Sequence, residues 1–196
     1  MNTLKAEKRS MDVKAKKLRR EGFVTGNIFG REMKESIPIK IEKGALSKLL
    51  KKSTKGSQIM LDVDGTSYDV LIKDIEFNPL KGQVDEIDFQ ALVSNEKIHS
   101  VAEVVLLNHE KVADGVVQLL LHEIAYKALP AALVEKVEID VSGMHAGDSI
   151  KVCDLEIAKD KDVELSTDPD ATVVVVTEVH NVLPEEPAEE EAAAAK

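Results

Sequence analysis

Isoleucine, valine and leucine recur at every second position through much of this chain, and that alternation limits what it can fold into. Ile37, Ile39 and Ile41 alternate, as do Ile87, Phe89, Ala91 and Val93. Successive side chains of an extended segment point to opposite faces, so such runs predict strands with one apolar face. Hydrophobic residues make up 43% of the 196, yet aromatics are only 3% and Trp is absent, so the cores must be built from Val, Ile and Leu. Branched side chains of this kind pack well on a pleated surface.

Residues 3–9 can form a short first strand, and residues 23–29 a second that glycines punctuate. Gly22, Gly26 and Gly30 recur every four residues, but no Gly-Lys-Ser/Thr and no dinucleotide fingerprint accompanies them. They read as turn and close-approach glycines rather than as a phosphate cradle. Pro38 places the 37–41 strand at an edge or makes that proline an early strand position. Residues 45–52 have helical periodicity, with Leu46, Leu49 and Leu50 on one face. Residues 59–63 and 68–72 flank Asp64-Gly65, a strong hairpin signal, and Asn78-Pro79 through Gly82 is a further turn.

Residues 1–92 therefore predict about six strands and one or two short helices, the pattern of a small β-barrel. Beyond residue 93, segments 101–107, 116–125, 134–141 and 172–179 read as strands, with 173–176 apolar on both faces. A second, antiparallel β domain over 93–183 is expected. Residues 184–196, acidic and alanine-rich with little to bury, predict a disordered tail. The fold class is mainly β.

Charge is unevenly distributed. Between residues 5 and 20 stand eight cations (Lys5, Lys8, Arg9, Lys14, Lys16, Lys17, Arg19, Arg20) against Glu7 and Asp12, a local +6 in a chain of net charge -10. Residues 1–60 carry 16 Lys and Arg against 6 Asp and Glu, whereas residues 93–196 carry 8 against 22. A basic end on an acidic body fits a chain anchored to a polyanion by that end. The lysines of the 45–52 helix either extend that footprint or form a solvated face.

No enzyme site emerges. His122-Glu123 begins like a zinc-protease motif, but Tyr126 stands where the second His belongs. No cysteine pair offers zinc spacing, no Gly-x-Ser-x-Gly elbow is present, and the Asp160/Asp162/Glu164 group lacks a calcium-loop pattern. No cofactor, metal or small-molecule substrate is expected. The lone Cys153 excludes an internal disulfide and reads as a small packed residue beside Val152 and Leu155. No run reaches transmembrane length, and the basic segment lacks the wide apolar face of an interfacial helix, so a cytoplasmic chain without membrane contact is expected. Stacking aromatics and the common RNA-binding signatures are missing, which leaves recognition through phosphates and groove shape.

An ordered set of short motifs now narrows the class. Ala15-Lys16-Lys17-Leu18-Arg19 is followed by Gly26-Asn27-Ile28-Phe29-Gly30 and Leu71-Ile72-Lys73-Asp74. Then come Asn78-Pro79-Leu80-Lys81-Gly82, Ile87-Asp88-Phe89, Glu138-Ile139-Asp140-Val141-Ser142 and Gly147-Asp148-Ser149-Ile150. This order resembles the bacterial large-subunit ribosomal protein L twenty-five family, in the two-domain form known as the general stress protein Ctc. The resemblance implies an N-terminal barrel that binds 5S rRNA, a C-terminal β domain with further contacts in the large ribosomal subunit, and no enzymatic activity. It implies rRNA-facing roles for Arg9, Lys16, Lys17, Arg19, Lys81 and Asp88, to which the local charge adds Lys14 and Arg20. Ala15 replaces a usual serine, Phe29 a usual tyrosine, and Glu76 and Glu86 stand where neutral donors would face RNA. Those acids predict weakened rRNA recognition, and with it an alternative role as a ribosome- or stress-associated protein-interaction factor.

Overall fold

The computed structural model describes residues 2–31, 33–112 and 115–178. The expected tail, 184–196, lies outside the described residues. Strands β1 (Thr3–Lys8), β2 (Phe23–Phe29), β3 (Ile37–Glu42), β4 (Gln58–Val63), β5 (Thr66–Asn78) and β6 (Gln83–Ala91) close into a barrel in the order β1-β3-β2-β6-β5-β4. Closure comes from a parallel pairing of β1 with β4, in which Leu4 lies opposite Leu61. A closed barrel has no edge strand, so of the two places expected for Pro38 the early one holds: it is the second residue of β3, and its carbonyl accepts the Arg9 N–H at 2.9 Å.

The alternating aliphatics form the barrel interior. Ile28, Ile39, Ile41, Ile59, Leu61, Val70, Ile72, Ile87 and Phe89 are buried in one cluster. Helix α2 (Lys43–Leu50) begins two residues before the sequence pattern predicts, and it caps this cluster with Leu46 and Leu49. The β4–β5 hairpin turns through Asp64 (φ 50°) and Gly65 (φ 87°), the left-handed pair that an Asp-Gly turn supplies. Gly26 has a different reason. β2 runs so close to β6 that a Cβ at Gly26 would stand 2.2 Å from the Ile87 carbonyl oxygen.

Two irregularities shape the surface. Opposite β6, β5 accommodates an extra residue at Lys73, and opposite β5, β6 accommodates an extra residue at Asp85. Bulges of this kind re-aim a side chain or a carbonyl without breaking the sheet. The first sends the Lys73 ammonium to the carbonyl of His99 at 2.7 Å. Burial there holds the Lys73 pKa below its ordinary value. Alongside, the Gly56 backbone abuts Val101, where a Cβ would stand 2.1 Å from the carbonyl oxygen.

The remaining strands build a second hydrophobic cluster. β7 (Ile98–Leu107), β9 (Glu123–Ala128), β10 (Lys136–Asp140) and β12 (Val163–Leu165) form a four-stranded sheet in the order β10-β7-β9-β12. β8 (Val116–Leu119), β11 (Ser149–Lys151) and β13 (Thr172–Thr177) form a three-stranded one, β11-β13-β8. Three expectations need correction here. The single strand expected over 116–125 is two strands in different sheets, because the N–H groups of Leu120 and Leu121 both turn to the Val173 carbonyl. The second sheet system is antiparallel as expected in every pairing but one, β10 running parallel to β7. Cys153 is exposed, not packed. It sits in the 3-10 turn Val152–Asp154, whose i and i+3 side chains eclipse, so Val152 and Leu155 go inward together and Cys153 is left outside. Short helix α3 (Glu156–Lys159) follows. Tyr126 lies fully buried, its hydroxyl donating to the Val134 carbonyl and accepting the Val134 N–H, both at 2.8 Å.

The close approach at Gly26 yields a stability test. Gly26→Ala must push the two backbones apart and is expected to cost about 1–3 kcal/mol, the usual range for overpacking. Gly143→Ala meets no atom within 4 Å and should be neutral by comparison. Urea unfolding midpoints of the two variants check this; equal midpoints would contradict it.

Candidate nucleic-acid interface

The basic arm is organised by one apolar side chain. Residues Ala15–Arg20 form helix α1, and Leu18 is its one buried residue, 6% exposed and turned toward the barrel. A six-residue helix is too short to persist alone, so its packing on β2 holds it. With Leu18 inward, Lys16, Lys17 and Arg20 face solvent, as does Lys14 at the N-cap. Lys17 pairs loosely with Glu21 at 3.9 Å, and both side chains are exposed. Such a contact contributes little against a competing phosphate.

Arg19 points the other way, across the barrel wall. Its Nε donates to the Asp85 carbonyl at 2.9 Å, the group that the β6 bulge turns outward, and its Nη2 lies 3.7 Å from Glu86 Oε2. Thr25 Oγ1 donates to the same carbonyl at 3.5 Å. Asn27, two residues along β2, donates to Glu86 at 3.5 Å and to Asp88 at 3.4 Å. Arg9 is half-buried, donates to the Val13 carbonyl at 3.1 Å, and bears electrostatically on Glu86. Arg9, Arg19 and Asp88 thus meet on one surface beside β2 and β6, next to the exposed lysines of α1.

Lys81 is set apart from the helix. It is exposed on the turn between β5 and β6, where its N–H donates to Asn78 Oδ1 at 3.3 Å. Asp85 links it to the rest. Its carboxyl is held below the usual carboxylate range by the Asn78 amide, with Arg19 and Lys81 adding positive charge.

This surface also carries acids. Across the β5–β6 pair Glu76 stands opposite Glu86, and Asp74 opposite Asp88. Like charges in register repel. Burial pushes the Glu86 pKa up, Asp88 and Glu76 add to the rise, and Arg19 and Arg9 only partly offset it. The ion pair to Arg19 and the upward shift point in opposite directions. At 3.7 Å the pair is loose, and burial with two neighbouring carboxylates outweighs it.

Beside the cations that the sequence singles out, the structure places the buried Thr25, Asn27 and the Asp85 carbonyl in this network, which sequence reasoning did not name. The polar residues at alternate positions of β2 were a signal for the first two. Nothing local announced the third, because a bulge is a property of the paired strands.

Taken together, the closed barrel, the solvent-facing cationic helix and the polar β2–β6 wall define a β-barrel protein with a cationic face. The comparisons narrow this further. The family model described as the ribosomal L25p family matches residues 4–89, and that of the ribosomal protein TL5 C-terminal domain matches residues 97–180. A relative from Bacillus velezensis, named large ribosomal subunit protein bL25, is 32% identical, with 90% of this chain and 88% of the relative covered. Proteins of the same name from Caldanaerobacter subterraneus (31% identical; 96% and 93% covered) and Burkholderia multivorans (35%; 83% and 82%) are also similar. The chain belongs to the ribosomal L25p family. The names of these relatives lend no support to the stress association.

The raised pKa of Glu86 has a thermodynamic consequence. A carboxyl whose pKa is higher folded than unfolded contributes stability that is complete at low pH and lost as pH rises through the folded value. Glu86→Gln is therefore expected to raise the urea midpoint at pH 7. The gain should vanish below the ordinary glutamate range, about pH 4. A gain that is the same at both pH values would exclude ionisation of Glu86 as its cause.

Proposed function

We propose that this chain is a structural, non-catalytic protein of the large ribosomal subunit that binds 5S rRNA through α1 and the adjoining β2–β6 wall. The family supports the ribosomal setting, and with it a cytoplasmic location. The observation that carries RNA binding is the presentation of α1. Leu18 fixes a short helix so that Lys14, Lys16, Lys17 and Arg20 face outward as a group, on a chain of net charge -10. Cations held by the fold neutralise phosphates and release counterions without first being ordered. Arg9, Arg19 and Asp88 border this group, and Lys81 lies beyond Asp85 on the β5–β6 turn. Asn27, half-buried on β2, adds a neutral donor suited to phosphate and sugar oxygens.

In this reading residues 1–92 are the rRNA-binding domain. Residues 93–183 form a second domain whose acidic surface turns to neighbours other than phosphate. With few exposed aromatics, the suited target is a helical or internally paired segment of RNA, recognised by backbone shape rather than by base stacking.

Five neutralised phosphates correspond to a log–log dependence of affinity on salt of about -4 to -5. Replacing Lys16, Lys17 and Arg19 by alanine should weaken binding and flatten that slope by roughly one unit for each lost phosphate contact. Filter binding to 5S rRNA across a salt series measures both. An unchanged slope would remove α1 from the interface.

A second reading is favoured by one contact. Glu86 occupies Arg19, and Glu76 stands beside it, so the wall repels the phosphates that α1 attracts. A chain with the same fold and weakened rRNA binding would act through protein contacts. Glu76→Gln combined with Glu86→His decides between them. A severalfold tighter complex that still depends on Lys16 and Lys17 supports rRNA binding tempered by these acids. No 5S rRNA binding by either form supports the protein-interaction role.

A further inference from the structure

Away from the α1 surface, the barrel carries a groove of about 390 Å³ between α2 and the β5–β6 hairpin. Its floor is aliphatic, formed by Val24, Leu46, Leu50, Ile75 and Val84. Phe77 stands at its wall with 60% of its surface exposed. Lys43, Lys51 and Lys55 line it as well, and among the described residues no aspartate or glutamate does. The bulge at Asp85 separates this site from the rRNA-facing wall. Val84 lines the groove, whereas Glu86 joins Asn27 and Arg19 on the outer face.

The three lysines are differently engaged. Lys43 donates to the neutral Gln83 side chain at 2.6 Å, which ties α2 to β6 across the groove. Lys55 pairs with Asp74, outside the lining, at 3.0 Å. Lys51 is exposed and has no ion-pair partner among the described residues. Positive charge around an apolar floor, uncompensated by a lining carboxylate, is complementary to an apolar group flanked by negative charge.

We propose that this groove docks an acidic protein segment anchored by an aliphatic side chain. Nucleic acid shares the charge but not the floor. A base seated on Val24, Leu46 and Ile75 would bury ring nitrogens and carbonyls against aliphatic carbon, and unpaired buried polar groups are costly. A leucine or isoleucine makes no such demand, and its burial is favourable. Spacing sets the segment's length. Lys43 and Lys51 lie eight residues apart along α2, which is about 12 Å at the helical rise per residue. An extended peptide covers that distance in about four residues, so acids on either side of one central anchor reach both ends. The surface is separate from α1, so a protein partner and RNA can be held together.

The experiment uses the full chain and three probes. These are a fluorescein-labelled twelve-residue peptide with two central leucines flanked by glutamates, the same peptide with serines for the leucines, and a twelve-nucleotide oligouridylate. Anisotropy reads binding, and amide chemical shifts of Leu50, Phe77 and Val84 read its place. The leucine peptide is expected to shift these amides and to lose at least tenfold in affinity with Lys51→Glu or Phe77→Ser. Both side chains are exposed, so neither change threatens the core. Lys16→Ala/Lys17→Ala should leave the peptide affinity unchanged, which keeps this result distinct from that of the rRNA assay. Equal binding of the serine peptide, displacement by the oligouridylate at the same amides, or no binding at millimolar peptide would each overturn the proposal.

Discussion

The pairing of β2 with β6 is the contact on which the rest of this molecule depends. It joins the early strands to the β5–β6 hairpin in parallel register, with Gly26 opposite Ile87 and Ile28 opposite Phe89. Only a residue without a Cβ lets the backbones approach this closely. The same pairing seats Ile28, Ile87 and Phe89 in the barrel interior and sets Asn27 against Glu86 and Asp88 outside. It also brings the Asp85 carbonyl under Arg19, so the alignment that builds the core also aligns the charged face.

That face is a balance of opposed charges. The chain is acidic, and a cationic patch on it survives only where the fold separates the cations from the acids. α1 achieves this for Lys14, Lys16 and Arg20 by turning them to solvent around the buried Leu18. The barrel wall does the reverse. Arg19 is drawn into a network with Glu86, whose own ionisation is disfavoured by burial and by Asp88 and Glu76. Solvent-facing lysines remain available to a polyanion at small cost, whereas Arg19 must first leave a carboxylate. The affinity of such a surface is set as much by the acids it retains as by its cations.

The two hydrophobic clusters meet through few but specific contacts. Lys73, placed by the β5 bulge, donates to His99, and Gly56 allows the backbone to abut Val101. A half-buried ammonium with a backbone acceptor is a directional tie, and a glycine with φ 86° against a carbonyl leaves no room for a side chain. These contacts link the barrel to β7 at its first residues.

Much of this was legible in the residues. Period-two aliphatics fixed which side of each barrel strand is buried, and Asp64-Gly65 fixed a hairpin. Each is local, because a side chain's face follows from its own position in a strand or helix. Tertiary structure alone decided the bulges at Lys73 and Asp85, the division of 116–125 between two sheets, the parallel β7–β10 pairing, the exposure of Cys153 and the meeting of Arg19 with Glu86. These depend on which distant segment lies alongside and in what register. Hydrophobic periodicity is the same for a strand whoever its neighbour is, so partner and register are settled only when the whole chain packs.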